Sequence, residues 1–417
     1  MKYLAVLGRQ PEISVAELET LTGIKWCQIS FSSRVARARR HGASALTLAL
    51  PRSEIPSKDI LTPLDINRLG GVLKLAVKLD KKPLEYLKNL PKGKVTIGVS
   101  DYTEKATRKS ALDEALKLKK ILVRLGRSVR VVENKEATLS TATSLHNGLS
   151  GKNERKAELI KTDDGWYRVI GVQDIEAYRR RDQKRPARDT KVGMLPPKLA
   201  QILINLCGPL KSGSTVLDPF CGTGVVLQEA LLMGYRAYGT DVSEKMVEYT
   251  EKNLKWLNKK YIFSGDGSLA PVVTGLAPSH PGRDLRTAPE NSIFLLSQGD
   301  ATSFQWTQPI DAVACEGYLG KPISKIPTEM KLKEQKQECQ AIILGFLKNL
   351  KGQIKSNTPV VIAIPAWLRE KGIYERLDIL DLIQDMGYNV NNKSREGLIY
   401  HRESQIVARD IIILRKK

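Results

Sequence analysis

The 417-residue chain contains few cysteines and no long apolar run, and both shortages exclude classes of protein. Its five cysteines lie at positions 27, 207, 221, 315 and 339. They show no CxxC spacing, so neither a metal site nor a disulfide framework is predicted, and reduced thiols are expected. No run of 18 apolar residues predicts a membrane-spanning helix, and the apolar start is too short for a signal peptide. We therefore expect a cytoplasmic protein without a membrane partner or an obligate protein partner.

Aromatic residues are also scarce, at 6% of the chain, which leaves few platforms for stacking unpaired bases. Positive charge is abundant: the net charge is +22, and residues 1–200 carry 40 Lys and Arg against 22 Asp and Glu. This part therefore has a net charge of +18, and residues 201–417 keep only +4. The uneven distribution predicts an amino-terminal half that grips the phosphates of a structured RNA, with a general basic bias as the alternative.

A third glycine is missing where a dinucleotide-binding fingerprint requires one, because Gly224 is followed by two valines and a leucine. Residues 218–224 read Asp-Pro-Phe-Cys-Gly-Thr-Gly and connect an apolar run to an amphipathic stretch, which predicts a strand, a tight loop and a helix. Gly222 and Gly224 are expected to leave the backbone open to a ligand, and free N–H groups lie at the start of the helix. The loop therefore indicates a nucleotide cofactor but disfavours hydride transfer.

An acidic residue ends the next predicted strand. Asp241 follows Tyr238-Gly239-Thr240 and lies 17 residues after Gly224. The loop and this acid together resemble motifs I and II of the S-adenosylmethionine-dependent methyltransferases. That resemblance implies S-adenosyl-L-methionine as the cofactor.

The order of predicted elements divides the chain into four parts. From residue 193 to 417, strands and helices alternate in the βαβ order of an α/β fold with a doubly wound, mostly parallel sheet. Residues 1–55 and 56–155 are each predicted to be α+β units, and the charged residues 156–192 are predicted to be a linker. Residues 264–291, rich in Gly, Pro and Ser, are predicted to be a surface insertion.

Two acidic residues, Asp266 and Asp300, each follow a glycine and compete for the end of the third strand of this sheet. Asp300 is preferred, because Leu295 and Leu296 precede it as a strand. The next apolar strand, at residues 312–314, also follows it at a suitable distance.

Motifs along nearly the whole chain resemble those of the tRNA guanosine-N2 methyltransferases that modify position 10. In chain order they are residues 7–12, 16–19, 181–189, 193–198, 218–224 and 401–410. The resemblance implies a ferredoxin-like unit over residues 1–55 and a THUMP domain, associated with tRNA binding, over residues 56–155. It implies a Rossmann-like methyltransferase domain over residues 193–417.

The resemblance also assigns cofactor-binding roles. Four loop residues would border the methionine and sulfonium end of S-adenosylmethionine: Asp218, Phe220, Gly222 and Gly224. Asp241 would accept hydrogen bonds from the ribose hydroxyls. Asp300 and Ala301 would meet the adenine, and Met194 and Pro197 belong to a run that would roof the pocket.

The catalytic motif that the resemblance implies is altered in this chain. Enzymes of this type place Asp or Asn, two prolines and Tyr after the fourth strand, where they hold the exocyclic amine and pack on the base. Here the residues are Glu316-Gly317-Tyr318, and both prolines are missing. Glu316 would replace the acid as hydrogen-bond acceptor, Tyr318 would supply the ring, and the flexible Gly317 would shift their positions. Cys315, like Cys221, is interpreted as a small buried residue, with thiolate attack on a pyrimidine as the alternative.

The leading functional hypothesis is a tRNA (guanine-N2) methyltransferase that uses S-adenosylmethionine. One alternative is a noncatalytic THUMP-containing RNA-binding protein, which the altered catalytic loop motivates. The other alternative is a methyltransferase that acts on DNA, because the same motifs serve such enzymes.

Overall fold

A computed structural model of the chain describes eight stretches: residues 2–30, 47–52, 64–189, 194–259, 293–323, 325–370, 372–402 and 405–417. The chain divides into two units, Met1–Ala177 and Tyr178–Lys417. The predicted insertion at 264–291, Gly193 and the end of the predicted linker at 190–192 lie outside the described residues. Among the described helices, none is long and apolar enough to cross a membrane.

The first unit is built on one mixed sheet. Its strands are β1 (Tyr3–Leu7), β2 (Trp26–Ser30), β3 (Thr47–Pro51), β4 (Val72–Lys78), β5 (Val95–Asp101), β6 (Val129–Val131), β7 (Lys156–Thr162) and β8 (Gly165–Val172). Their order is β2-β3-β1-β4-β8-β7-β5-β6. Strand β5 runs parallel to β6 and β7, and the other pairs are antiparallel. The helices are α1 (Pro11–Thr22), α2 (Pro83–Lys88), α3 (Arg108–Arg124) and α4 (Thr141–His146), with a 3-10 turn at Ile66–Arg68.

Helix α3 shows how the sequence pattern sets this packing. Thr107 caps its start, since the Thr107 hydroxyl accepts a hydrogen bond from the Ser110 N–H at 2.9 Å. Its buried residues recur at helical spacing: Ala111, Ala115, Leu118 and Leu122. The opposite side carries exposed basic residues such as Lys117, Lys120 and Arg124. Helix α3 therefore buries its apolar side and exposes a basic side.

A buried ion pair joins distant parts of the first sheet. Lys74 Nζ on β4 donates to Glu158 Oε1 on β7 at 2.6 Å, and also to the Leu139 carbonyl and the Ser144 hydroxyl. Both charged side chains are at most 2% exposed. Burial lowers the pKa of Lys74, and Glu158 opposes that shift. The pair fixes the position of β7 inside the sheet.

The predicted linker over 156–192 is wrong in its first part. Residues 156–172 form β7 and β8, which pair in the middle of the sheet, and helix α5 (Ile175–Gln183) follows. The charges that suggested a linker belong to an amphipathic helix, in which Tyr178 and Arg181 are buried.

The second unit carries the predicted α/β sheet. Its strands are β9 (Thr215–Asp218), β10 (Arg236–Asp241), β11 (Phe294–Gln298), β12 (Ala312–Glu316), β13 (Pro359–Glu370), β14 (Ile373–Glu375), β15 (Tyr388–Val390), β16 (Ile399–Tyr400) and β17 (Val407–Lys416). The main order is β11-β10-β9-β12-β13-β17-β15. Strands β9 to β13 pair in parallel, and β17 is antiparallel to β13. The strand order reverses between β9 and β12, and ligands bind at such a switch point in open α/β sheets.

Helices cover both faces of this sheet. They are α6 (Pro197–Leu206), α7 (Val225–Leu232), α8 (Glu244–Leu257), α9 (Glu329–Lys351), α10 (Leu380–Asp385) and α11 (Asn392–Glu396). One core cluster centres on α9 and includes Phe346, and another centres on α7 and α8 and includes Leu227 and Leu254. The doubly wound, mostly parallel fold class predicted from the sequence is confirmed.

The charge distribution changes when it is counted by these units. Residues 1–177 carry 32 Lys and Arg against 20 Asp and Glu, and residues 178–417 carry 35 against 25. The net charges are therefore +12 and +10, in place of the +18 and +4 obtained by dividing at residue 200. The difference comes from the basic residues of 178–200, which belong to the second unit.

Candidate active site

The two glycines of the loop after β9 have different surroundings. Gly222 has a φ of +51°, and a Cβ atom there would meet no other atom closer than 3.9 Å. Gly224 has a φ of +77°, and its Cβ would lie 2.7 Å from Thr250 Cγ2. Only Gly222 therefore offers the open backbone that a ligand needs. The missing side chain of Gly224 therefore serves the packing of α7 on α8, and the predicted cofactor contacts of Gly222 and Gly224 stay predictions.

Asp241 connects this loop to the end of β10. Its Oδ2 accepts a hydrogen bond from the Gly222 N–H at 2.9 Å, and its Oδ1 accepts one from the Ser243 N–H at 2.9 Å. Burial raises the pKa of this half-buried carboxyl group. A carboxylate has about four acceptor positions, so two further donors, such as a pair of ribose hydroxyls, fit this group.

Asp218 ends β9 and is only 2% exposed. Its Oδ1 accepts a hydrogen bond from the Phe220 N–H at 3.1 Å. Burial raises the pKa of Asp218 well above its usual range, and the negative Asp241 and Glu316 raise it further. These acids favour a positively charged group, as the sulfonium and ammonium of S-adenosylmethionine would provide.

The third predicted acid lies at the end of the neighbouring strand. Gln298 of β11 pairs with Asp241, and the Gly299 N–H donates to the Asp241 carbonyl at 2.9 Å. Asp300 is exposed, and its Oδ1 accepts from both the N–H and the hydroxyl of Thr302 at 2.8 Å. The structure thus brings Asp218, Asp241 and Asp300 to the carboxyl ends of three adjacent strands. Ala301, next to Asp300, is buried, and the adenine role of both residues stays a prediction.

Phe220 fixes the other side of the loop. Its ring makes an edge contact with Phe346 of α9, with ring centroids 5.3 Å apart. Pro197 is buried at the first turn of α6, and Met194 is half-buried before it. The predicted contacts of Phe220, Met194 and Pro197 with the cofactor stay predictions.

Glu316 is held by a partner that the sequence analysis missed. Arg409 Nε on β17 donates to Glu316 Oε1 at 2.7 Å, and Arg409 Nη1 donates to Gln405 Oε1 at 2.7 Å. The side chain of Arg409 is 3% exposed and that of Glu316 is 16% exposed. The pair is possible because β12 and β17 both flank β13. Glu316 and Arg409 are 93 residues apart in the sequence, so no local pattern predicts their contact. Arg409 nevertheless lies in the motif recognised at residues 401–410.

Gly317 is held in place, in contrast to the flexibility expected from the sequence. Its N–H donates to the Ala363 carbonyl at 2.9 Å, which extends the pairing of β12 with β13. A Cβ on Gly317 would lie 3.0 Å from Ile362 Cδ1, so the strand beside it also limits the residue that fits here.

Tyr318 is directed towards α9. Its hydroxyl donates to Glu338 Oε1 at 3.0 Å, and its ring packs against the core cluster around that helix. Burial, followed by the effect of Glu338, raises the pKa of Tyr318 to about 12. Tyr318 therefore stays protonated at neutral pH. Its predicted role in packing on a base stays a prediction.

The two cysteines near the site are buried thiols. Cys315 is fully buried and Cys221 is 4% exposed. Burial raises the pKa of both thiols well above the usual range, and Asp218 adds to the effect. The reactive thiolate is disfavoured in both, which supports the interpretation of small buried residues.

Residues 184–338 match the family described as RMKL-like, methyltransferase domain, and residues 104–252 match a family described as DNA methylase. A tRNA (guanine(10)-N2)-dimethyltransferase of Methanothermobacter thermautotrophicus is 52% identical over 63 residues, covering 15% of this chain and 18% of that protein. The enzyme of the same name from Pyrococcus abyssi is 44% identical over 66 residues, covering 16% and 19%. The aligned segments thus span about a fifth of these relatives.

Among solved structures, TrmN from Thermus thermophilus aligns over 100% of both chains, with 15% identity and a TM-score of 0.42. The methyltransferase match confirms the predicted Rossmann-like methyltransferase fold and its cofactor, S-adenosylmethionine. As its motifs predicted, short segments of the chain are similar to the tRNA (guanine(10)-N2)-dimethyltransferases, and residues 184–338 match the RMKL-like methyltransferase domain family.

Proposed function

We propose that this chain transfers methyl groups from S-adenosylmethionine to the exocyclic N2 of a guanosine in tRNA. The observation that carries the proposal is the group of relatives named tRNA (guanine(10)-N2)-dimethyltransferase, which are 38–52% identical over their aligned segments. Those segments are short, so the arrangement of Asp218, Asp241 and Glu316 around one sheet edge is the second support.

The cofactor, when bound, supplies an electrophilic methyl group on a sulfonium. In the proposal, Asp241 accepts hydrogen bonds from its ribose hydroxyls, and Gly222 lets it approach the loop. The buried Asp218 stabilises the positive charge at the methionine end. The acids on neighbouring strands would therefore hold the cofactor at the edge of the sheet where β12 also ends.

Glu316 is proposed to accept a hydrogen bond from the guanine N2 amine, and Tyr318 to border the base. Arg409 holds the Glu316 carboxylate in one orientation, so that it acts as a positioned acceptor. A strong base is not needed, because the amine proton becomes acidic only as the N–C bond forms and the C–S bond breaks. The proton then leaves through Glu316 or to water.

The first unit is proposed to be a ferredoxin-like and THUMP-type RNA-binding module that presents the tRNA. The exposed basic residues of α3 suit contact with phosphates. The counts by unit also assign +10 to the second unit, so both units are proposed to attract RNA. A cytoplasmic location, where tRNA is modified, is part of this proposal.

Incubation with unmodified tRNA and labelled cofactor tests the proposal. We expect label on the N2 of a guanosine, located by nuclease digestion and chromatography of the nucleosides. A preparation that binds the cofactor but labels no tRNA would reject the proposal. Glu316→Ala, which removes the acceptor, should abolish labelling and leave tRNA binding intact. If the wild-type chain shows tRNA binding without any labelling, the noncatalytic alternative is favoured.

The match of residues 104–252 to a DNA methylase family favours one second candidate, methylation of DNA. A relative named type II methyltransferase M.MwoI is 31% identical over 97 residues. Competition between tRNA and duplex DNA at one fixed salt concentration separates the two, because phosphate contacts depend steeply on salt. Tighter binding of DNA, with label in DNA, would select the second candidate.

A further inference from the structure

A basic segment before α6, residues 178–189, lies against the glycine loop of the second unit. We call this segment the strap. Asn253 of α8 clamps it: Asn253 Oδ1 accepts from the Ala187 N–H, and Asn253 Nδ2 donates to the Ala187 carbonyl, both at 2.9 Å. The same Nδ2 donates to the Thr223 carbonyl at 2.9 Å. One amide side chain therefore holds the strap and the loop together.

The strap contains two buried arginines with different surroundings. Arg181 donates from Nε and Nη2 to both carboxylate oxygens of Glu229, at 2.6 and 3.1 Å. Arg185 is only 2% exposed, yet none of its three guanidinium nitrogens has a hydrogen-bond partner in the described part of the chain. Arg181 is paired with a carboxylate, whereas the buried Arg185 guanidinium meets no acceptor among the described residues.

The environment of Arg185 makes this mismatch costly. Burial lowers the pKa of Arg185, and Asp182 opposes the shift without reaching hydrogen-bond distance. A buried guanidinium without an acceptor is destabilising, so its presence indicates a ligand that supplies the acceptor. Arg185 is nine-tenths buried and lies two residues from Ala187, which Asn253 connects to the glycine loop, so a small anion fits it better than the phosphate of a large RNA.

We propose that Arg185 binds the α-carboxylate of the methionine moiety of S-adenosylmethionine. This inference rests on the proposed function, since it assigns the anionic end of the same cofactor. That end carries one ammonium and one carboxylate beside the sulfonium. The buried Asp218 is a suitable partner for the ammonium and the sulfonium. The carboxylate needs a positively charged partner of its own, and the strap, which lies next to the loop, can provide one. Arg185 is two residues from the clamped Ala187 and can supply a bidentate partner.

A pair of ligands that differ in the carboxylate tests the assignment. Calorimetry should compare S-adenosylmethionine with its decarboxylated form for the full wild-type chain and for Arg185→Met. The wild type should prefer the carboxylated ligand by about 10- to 100-fold, as expected for a charge-assisted hydrogen bond. Arg185→Met should lose that preference and bind the decarboxylated form as the wild type does. Arg188→Met is the matched control, because Arg188 is exposed on the same strap, and it should keep the preference.

Other outcomes overturn the assignment. Equal preference in the wild type and in Arg185→Met would show that another group binds the carboxylate. Loss of tRNA affinity in Arg185→Met with an unchanged ligand preference would assign Arg185 to RNA phosphate. Arg185→Lys keeps the positive charge but not the planar guanidinium group, so it should retain part of the preference. It also serves as a second variant if Arg185→Met does not fold. Failure of the wild type to bind either ligand would instead refute the proposed function.

Discussion

Ionisation of Asp218 lowers the stability of the folded protein but favours binding of the proposed cofactor. Burial and two negative neighbours raise its pKa well above the ordinary value of 3.8. The folded protein therefore binds this proton more tightly than the unfolded chain, and its stability falls as the pH rises from 3.8 through the folded pKa. Above that window the charged Asp218 is destabilising.

Asp218→Asn should consequently stabilise the ligand-free protein at pH 7 and have a smaller effect at pH 4, because it removes a carboxyl group whose ionisation is unfavourable in the folded state. Asn keeps an acceptor for the Phe220 N–H. Cofactor affinity should fall, because the partner of the cationic end is lost. Denaturant unfolding at pH 4 and pH 7, with calorimetry, checks both effects. A variant that is less stable at pH 7, or one that binds the cofactor normally, would contradict the role given to Asp218.

Arg409 is the second residue that controls the chemistry, as a positioning residue for Glu316. Its replacement by Met removes the 2.7 Å contact that fixes Glu316 Oε1. We expect a fall in kcat of about 100-fold, the effect of a misplacement of about 1 Å. The KM for tRNA should change little, because Arg409 orients the acceptor and is not assigned to RNA binding.

Arg409→Lys is the matched variant for this experiment. It keeps a positive charge near Glu316 but cannot reproduce both the contact to Glu316 and the contact to Gln405. Its kcat should be intermediate, and its KM for tRNA should stay close to that of the wild type. Normal cofactor binding, measured by calorimetry, establishes that each variant is folded. An unchanged kcat in Arg409→Met would remove Arg409 from the mechanism.

At the level of elements, the turn from β9 into α7 contains one glycine that is expected to affect cofactor binding and another that is expected to affect stability. Gly224→Ala would place a Cβ atom 2.7 Å from Thr250 Cγ2 at a φ of +77°, so it should destabilise the protein by more than 1 kcal/mol. Gly222→Ala meets no neighbour, costs about 1 kcal/mol of backbone strain, and fills the open side of the loop. Thermal unfolding and calorimetry of both variants should therefore show a larger stability loss for Gly224→Ala and a larger affinity loss for Gly222→Ala.

The same turn shows what the sequence could predict. An apolar run, a glycine loop and an amphipathic stretch are local patterns, and they correctly predicted the strand, loop and helix found as β9, the turn after it and α7. The predicted linker failed because the pairing of β7 and β8 with β5 and β4 depends on residues distant in sequence.

The candidate site residues also divide into those that a local pattern predicts and those that depend on distant contacts. Asp218 and Asp241 end strands in a recognisable pattern, and the structure joins them through Gly222. The Glu316–Arg409 pair and the Tyr318–Glu338 contact depend on strand order and on helix packing, so no local pattern predicts them. The missing partner of Arg185 could be found only from burial in the folded chain.

For the whole molecule, the boundary at residue 177 determines how the chain can be divided. Cutting after residue 155, as the sequence-based domains suggest, would leave β7 and β8 on the second fragment without β5 and β4. Both strands would then expose buried residues such as Leu159 and Tyr167. We expect a fragment of residues 156–417 to aggregate, because it presents unpaired strand edges.

A fragment of residues 178–417 should instead fold, because it retains the strap, the glycine loop and the complete second sheet. Its affinity for S-adenosylmethionine should stay close to that of the full chain, because every residue assigned to the cofactor lies within residues 178–417. It should bind tRNA more weakly and with a smaller salt dependence, since the +12 of residues 1–177 is lost and the +10 remains. Calorimetry and tRNA binding at several salt concentrations test this, and unchanged tRNA affinity would assign RNA recognition to the second unit alone.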